Sequence, residues 1–145
     1  MATRVTNPLG TSRNAELVEV SIPAQPELLS IPRLAAAAIA ARAGFDLEEV
    51  EDLRLAIEEL CLAAFEGRGP GRLHLRFGLR QHGLEVDCTF DPDGERPQPE
   101  NARGEVAAGF TEQLLEALVD EHGTEVDGGT RRTWLRKSHP SPPVE

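Results

Sequence analysis

The stretch that decides the predicted fold is residues 46–67, DLEEVEDLRLAIEELCLAAFEG. Its apolar side chains recur at steps of three and four residues, which predicts one long helix with a single buried stripe. The stripe consists of Val50, Leu53, Ile57, Leu60, Cys61 and Ala64. Asp46 and Glu49 have the spacing of a capping box at the start of this helix, and Gly67 follows at its end.

The composition predicts one globular domain, which we place at residues 15–138 between flexible segments at 1–14 and 139–145. The chain has 145 residues, of which 39% are hydrophobic and 28% are charged, and this suffices for a substantial core. No apolar run approaches the ~20 residues of a membrane span, and the first residues lack the apolar centre of a signal peptide. We therefore expect a cytoplasmic protein that does not enter a membrane.

The net charge of −10 argues against nucleic acid as a partner. Proteins that bind nucleic acid neutralise its phosphates with a stripe of basic residues. The longest basic cluster of this chain is short and comprises Arg131, Arg132, Arg136 and Lys137. An acidic surface fits a basic protein partner better.

The first part of the chain predicts a strand and then a helix. Residues 18–22 alternate as a half-buried strand does, and an Ala-rich helix follows to about Arg42. We expect the core side of this helix to comprise Leu28, Ile31, Leu34, Ala35, Ala38 and Ile39. Proline is tolerated only in a first turn, so either the regular helix begins near Ser30 or it kinks at Pro32.

After the long helix, the pattern predicts a β-hairpin around residues 81–83. A mobile loop at 91–104, a third helix at about 110–121 and two strands at 124–126 and 130–136 follow. Together these elements predict an α+β fold, in which a mixed, mostly antiparallel sheet carries about three helices on one face.

Three side chains are expected inside this fold. Cys61 and Cys88 fall on predicted core faces, which indicates buried, reduced thiols rather than a disulfide or a metal site. Trp134 is expected in the core of the sheet rather than as a stacking platform.

Three stretches of the chain resemble a known family. DLRLAIEEL, at residues 52–60, and the preceding SIPAQPELLSIPRLAAAAIA are similar to the anti-sigma factor kinases of the RsbW and SpoIIAB type. QLLEALVDE, at residues 113–121, is similar to the same family. The resemblance covers roughly residues 18–137 and implies the two-layer sandwich of the GHKL superfamily, which is also called the Bergerat fold.

In that family the long helix carries Glu-x-x-x-Asn, where the Glu is the general base and the Asn holds the magnesium of bound ATP. This chain has Glu59 and, four residues on, Ala63, whose side chain offers no oxygen to a hard cation. The resemblance implies Glu59 as the catalytic candidate, while the metal ligand is missing. The alternative for Glu59 is a solvated or structurally hydrogen-bonded carboxylate on an acidic helix.

The nucleotide-binding boxes of the family are also incomplete. Asp91 stands where the family has the Asp that contacts adenine, and Gly94 alone remains of the glycines of that Asp-x-Gly-x-Gly box. Gly104 and Gly109 remain of the second box, whose backbone N–H groups cradle phosphates. Pro92 removes a backbone donor from this region. The resemblance implies ATP and magnesium as cofactors, and these losses predict that both bind weakly or not at all.

The partner surface is better retained. Arg33 matches the family position that contacts the sigma factor and its antagonist, and the alternative is an ordinary exposed Arg. We expect an anti-sigma factor that sequesters an alternative sigma factor and is released by an antagonist of the STAS type. The alternatives are an active serine/threonine kinase that phosphorylates the antagonist, and an adaptor that binds only the antagonist. The resemblance also implies a homodimer.

Overall fold

The computed structural model describes four stretches of the chain, which are residues 16–65, 67–94, 105–127 and 130–138. The segments predicted as flexible, 1–14 and 139–145, lie outside them, and so does most of the loop predicted at 91–104. None of the helices in the described stretches combines the length and the apolar content that a membrane span requires.

The described residues form two layers, with three helices on one face of a five-stranded sheet. In chain order the elements are β1 (Glu16–Pro23), a 3₁₀ turn (Pro26–Leu28), α1 (Ser30–Arg42), α2 (Leu47–Phe65), β2 (Gly71–Arg80), β3 (Gly83–Pro92), α3 (Glu105–Leu118), β4 (Glu121–Asp127) and β5 (Thr130–Ser138). Across the sheet the strand order is β1-β2-β3-β5-β4, and the four neighbouring pairs are antiparallel. The predicted α+β sandwich is confirmed, although the pairs within the described residues are antiparallel throughout rather than mixed.

Helix α2 forms the centre of the core, as its apolar stripe predicts. The Glu49 N–H donates to Asp46 Oδ1 at 2.8 Å, and the Asp46 N–H donates to Glu49 Oε1 at 2.9 Å, which completes the capping box. The buried side chains of α2 are Leu53, Ala56, Ile57, Leu60, Cys61, Ala64 and Phe65. They pack between α1 and α3 and against β2, β3 and β5.

Both cysteines are free and lie in this core, which confirms the predicted burial. Cys61 belongs to α2 and Cys88 to β3. A hydrogen bond with the Cys88 side chain, together with burial, raises the pKa of the Cys61 thiol well above its ordinary value. The thiol therefore stays protonated and unreactive at neutral pH.

Helix α1 begins at Ser30, so Pro32 lies in its first turn and the helix does not kink. The predicted core side of α1 is right for Ile39, which is buried, and for Leu28 and Ala35, which pack against the core, but it is wrong for Ile31, Leu34 and Ala38. The buried residues of the helix are Pro32, Ala36, Ile39 and Ala40, whereas Ile31 and Leu34 are exposed. Because alanine is apolar on every side of this helix, the sequence pattern does not define the side that packs.

Several element boundaries also differ from the prediction. Helix α3 ends at Leu118 and β4 begins at Glu121, where the prediction has the last residue of the helix. Helix α3 begins at Glu105, five residues before the predicted start at Phe110, because Glu and Ala in the sequence EVAA are strong helix formers. Strand β3 continues through Asp91 and Pro92, which the sequence pattern assigns to the loop. The described part of that loop therefore begins only at Asp93.

The prediction that Trp134 belongs to the core of the sheet is wrong. Its neighbour Leu135 is buried under the helices, and the alternation of side chains along β5 places Trp134 on the opposite, outer face. There the indole covers Gly123 of β4, where an added Cβ would come within 2.9 Å of the ring. The guanidinium groups of Arg132 and Arg136 lie 6.0 and 5.9 Å from the ring centroid.

The outer face carries charges whose sign alternates from strand to strand. Acidic side chains extend from β1, β3 and β4, and basic ones extend from β2 and β5 between them. The ion pairs that join them are Arg76–Glu19 at 3.5 Å, Arg80–Glu85 at 3.4 Å, Arg132–Asp87 at 2.6 Å, Arg132–Glu125 at 2.8 Å, Arg136–Glu85 at 2.9 Å and Arg136–Glu121. A shift in register would misalign these cross-strand pairs, so they reinforce the observed pairing.

Asp87 lies on this outer face but is buried, since only 8% of the residue is exposed. Burial raises its pKa above the ordinary value, against the opposing effect of Arg132 and Arg76. A carboxyl with a higher pKa in the folded state binds more protons when folded, so its contribution to stability falls as the pH rises through that pKa. We expect Asp87→Asn to gain stability relative to the wild type between about pH 4 and about pH 7, measured by urea unfolding.

Glu125→Gln is the matched control for this prediction, because it removes the exposed carboxylate that also pairs with Arg132. The difference in the free energy of unfolding between Glu125→Gln and the wild type should change less with pH over the same pH range. If the stability of Asp87→Asn relative to the wild type stays constant, or falls as the pH rises, burial does not raise the pKa of this carboxyl.

Candidate functional site

The flank of α2 that carries Glu59 is bound to α3. Glu59 Oε1 accepts a hydrogen bond from the Thr111 hydroxyl at 3.0 Å. Thr111 is buried, with 5% of the residue exposed, so water competes little for this bond. The carboxylate predicted as a general base is therefore held by a hydroxyl of the protein itself.

Ala63, one turn further along α2, is bound to β5. Arg131 Nη1 donates to the Ala63 carbonyl oxygen at 3.4 Å. On the same face of β5, the Thr133 hydroxyl lies 3.3 Å from the Leu60 carbonyl oxygen and donates to it. Strand β5 therefore contacts the backbone of α2 at two neighbouring positions.

The segment that follows α2 is closely packed. Arg68 is buried, and its guanidinium lies 5.5 Å from the ring centroid of Phe90 in β3, as in a cation–π interaction. Gly71 lies against the same ring, since an added Cβ would come within 2.7 Å of two of its carbons. A side chain at the start of β2 would therefore displace the Phe90 ring.

The three residues predicted to bind nucleotide lie at different places, two of them at or beyond the end of β3 and the third in α3, two residues before Thr111. Asp91 extends from the outer face of β3, with 74% of its side chain exposed, and His74 Nε2 lies 4.0 Å from its carboxylate. Gly94 is exposed beyond the end of β3. Gly109 lies inside α3, past the four residues whose N–H groups a helix leaves unbonded. The adenine and phosphate roles of these three residues stay predictions.

The surroundings of Ala63 do not fit magnesium. A hard cation needs oxygen ligands, the Ala63 side chain has none, and the Ala63 carbonyl oxygen accepts from Arg131. Within the stretches that the structure describes, no three His, Cys, Asp or Glu side chains are grouped as metal ligands would be. Arg131 therefore contacts the backbone of residue 63, while the Ala63 side chain, which stands at the position of the family's metal ligand, offers no oxygen.

A second surface of interest lies where α1 meets α2. Arg33 Nη1 of α1 lies 3.0 Å from Glu58 Oε1 of α2, and their side chains are 34% and 35% exposed. Ile31, Leu34 and Leu55 are exposed on the same two helices, and Leu34 is 62% exposed. We call these five residues the α1–α2 surface. A cation among exposed apolar side chains is typical of protein-binding surfaces.

Sequence reasoning finds Glu59, Ala63 and Arg33 but misses Thr111 and Arg131 as their neighbours. A signal existed for Arg131, because alternation along β5 places it on the same face as the buried Leu135. The sequence holds no comparable signal for Thr111, since its bond to Glu59 joins residues 52 positions apart.

The Thr111–Glu59 bond should contribute to stability. Thr111→Val keeps the size and branching of the side chain but removes the donor, which leaves a half-buried carboxylate without that partner. We expect a loss of about 1–2 kcal/mol in the free energy of unfolding, measured with urea. Thr124→Val in β4 is the control and should change stability by less than about 0.5 kcal/mol. Equal effects of the two substitutions would contradict the proposed strength of this bond.

Comparison with known proteins agrees with this arrangement of elements. The profile of the histidine kinase-like ATPase domain matches residues 22–137. The serine-protein kinase RsbW of Bacillus subtilis is 32% identical over 123 residues, which are 74% of this chain and 77% of that protein. RsbW of Listeria innocua is 36% identical over 119 residues, or 72% of this chain and 76% of that protein. The chain therefore belongs to the histidine kinase-like ATPase family of the GHKL superfamily, as a relative of the RsbW proteins.

Proposed function

We propose that this protein is a cytoplasmic anti-sigma factor in a partner-switching circuit. It sequesters an alternative sigma factor, and an antagonist of the STAS type releases that factor. Its ability to bind ATP and to phosphorylate the antagonist is weak or lost. The observation that carries this proposal concerns two residues of α2. Ala63 stands at the position of the metal ligand and its carbonyl oxygen accepts from Arg131, and Glu59 accepts a hydrogen bond from Thr111.

The contacts on α2 oppose phosphoryl transfer in two ways. Transfer depends on a metal ion and on donors that neutralise the phosphate charge, and Ala63 supplies no oxygen ligand. A general base must also reach the proton of the attacking hydroxyl, whereas Glu59 accepts a hydrogen bond from Thr111. Loss of a group that stabilises charge commonly lowers a rate by orders of magnitude.

An active kinase is the second candidate function, because Glu59 is retained on α2 and the relatives are named serine-protein kinases. In that case Glu59 would exchange Thr111 for the hydroxyl of a substrate serine. Direct measurement of nucleotide binding separates the two candidates.

The α1–α2 surface supports the binding function. It combines one half-exposed cation, Arg33, with apolar side chains that no described element covers. Arginine is enriched at the centres of protein interfaces because its planar fork pairs with carboxylates. We infer that this surface contacts the sigma factor and the antagonist, and that a homodimer presents two copies of it.

Calorimetric titration with magnesium ATP should give no measurable binding for the wild type. We expect the same result for Ala63→Asn, because the added oxygen leaves the Thr111–Glu59 and Arg131–Ala63 contacts in place. RsbW of Bacillus subtilis, titrated in parallel, is the positive control. Tight, magnesium-dependent binding by the wild type would favour the kinase candidate. If Ala63→Asn binds magnesium ATP and the wild type does not, the missing metal ligand alone explains the loss of nucleotide binding.

Binding to purified sigma factors and STAS-domain proteins from the source genome tests the partner surface. We expect Arg33→Gln to weaken binding by about 30-fold, the effect of losing an interface arginine that contributes about 2 kcal/mol. Arg54→Gln is the matched control, since Arg54 forms a similar ion pair with Glu51 on α2 at 3.2 Å. Binding of the antagonist alone would indicate an adaptor, and binding of neither class would refute the proposal.

A further inference from the structure

The Arg33–Glu58 pair is a single end-on contact. One nitrogen, Arg33 Nη1, lies 3.0 Å from one oxygen, Glu58 Oε1. A guanidinium has five N–H donors and can bind a carboxylate through two parallel bonds. Arg33 Nε is buried and has no hydrogen-bond partner among the described residues. The donor capacity of Arg33 is therefore only partly used by Glu58.

Both helices carry an exposed apolar residue close in sequence to this pair, and Arg54 also lies one turn before Glu58. Leu34 follows Arg33 on α1, and Leu55 lies one turn before Glu58 on α2. A protein that covers these side chains would also exclude water from the guanidinium. An ion pair in contact with water contributes little, whereas a carboxylate brought by a partner pairs with Arg33 out of water, where such pairs are strongly coupled.

We propose that Glu58 is an internal competitor of the docking partner, occupying Arg33 until a carboxylate of the partner replaces it. This inference rests on the proposed function, and it defines the partner's contact as an apolar surface that presents an Asp or Glu. During docking, Arg33 exchanges Glu58 for the partner's carboxylate, and Glu58 turns towards water. Glu58 therefore limits the affinity and keeps the complex reversible.

Glu58→Gln tests this exchange, because the amide keeps the size of the side chain and removes the charge that holds Arg33. The probe is the purified sigma factor that binds the wild type, with the dissociation constant measured by calorimetry. We expect Glu58→Gln to bind about two- to fivefold more tightly, the range that an exposed ion pair contributes. Glu51→Gln is the matched control, since it removes a carboxylate paired with Arg54 on the same helix and should leave the affinity unchanged.

The double variant Arg33→Gln/Glu58→Gln separates competition from a general charge effect. Without Arg33, the loss of Glu58 should no longer increase affinity relative to Arg33→Gln alone. Unchanged or weaker binding by Glu58→Gln would overturn the exchange, and so would an equal gain in Glu51→Gln. If the wild type binds the sigma factor and Arg33→Gln weakens the complex, these results refute the exchange and leave the proposed function intact. If the wild type binds no partner, the exchange and the proposed function are both refuted.

Discussion

Burial of the apolar stripe of α2 against the sheet is the interaction on which the other elements depend. The stripe fills the space above β2, β3 and β5, and α1 and α3 pack on either side of it. Its side chains are almost completely withdrawn from water, and apolar burial of this kind contributes about 25 cal/mol per Å². The rotation of α2 about its axis is therefore fixed. This rotation determines which residues of the helix can reach α3, β5 and α1.

The two functional surfaces follow from that fixed rotation. Glu59 and Ala63 lie beside the buried stripe and meet α3 and β5, whereas Glu58 meets Arg33 of α1. Neighbouring residues 58 and 59 thus serve different surfaces, because successive helical positions are about 100° apart. The contacts of Glu59 and Ala63 with α3 and β5 are therefore separate from the contact of Glu58 with α1.

The sequence predicts α2, its caps, the hairpin and the α+β class because each of these depends on local spacing. It predicts only half of the packed residues of α1 correctly, since an Ala-rich helix has no polar face and the choice between sides depends on tertiary contacts. The expectation that Trp134 lies in the core of the sheet fails because alternation along β5 places it on the face opposite the buried Leu135. For the site, residue identities such as Ala63 are visible in the sequence. The Thr111–Glu59 and Arg33–Glu58 contacts are not, because they join residues 52 and 25 positions apart.

The position of Trp134 has a spectroscopic consequence. The chain contains one tryptophan and no tyrosine, so nearly all of its near-ultraviolet emission originates at this ring between Arg132 and Arg136. The ring lies on the far side of the sheet from α1, and unfolding of the sheet separates it from both guanidinium groups. Its fluorescence therefore reports the integrity of the sheet, and a partner that docks on the helical layer leaves that signal unperturbed.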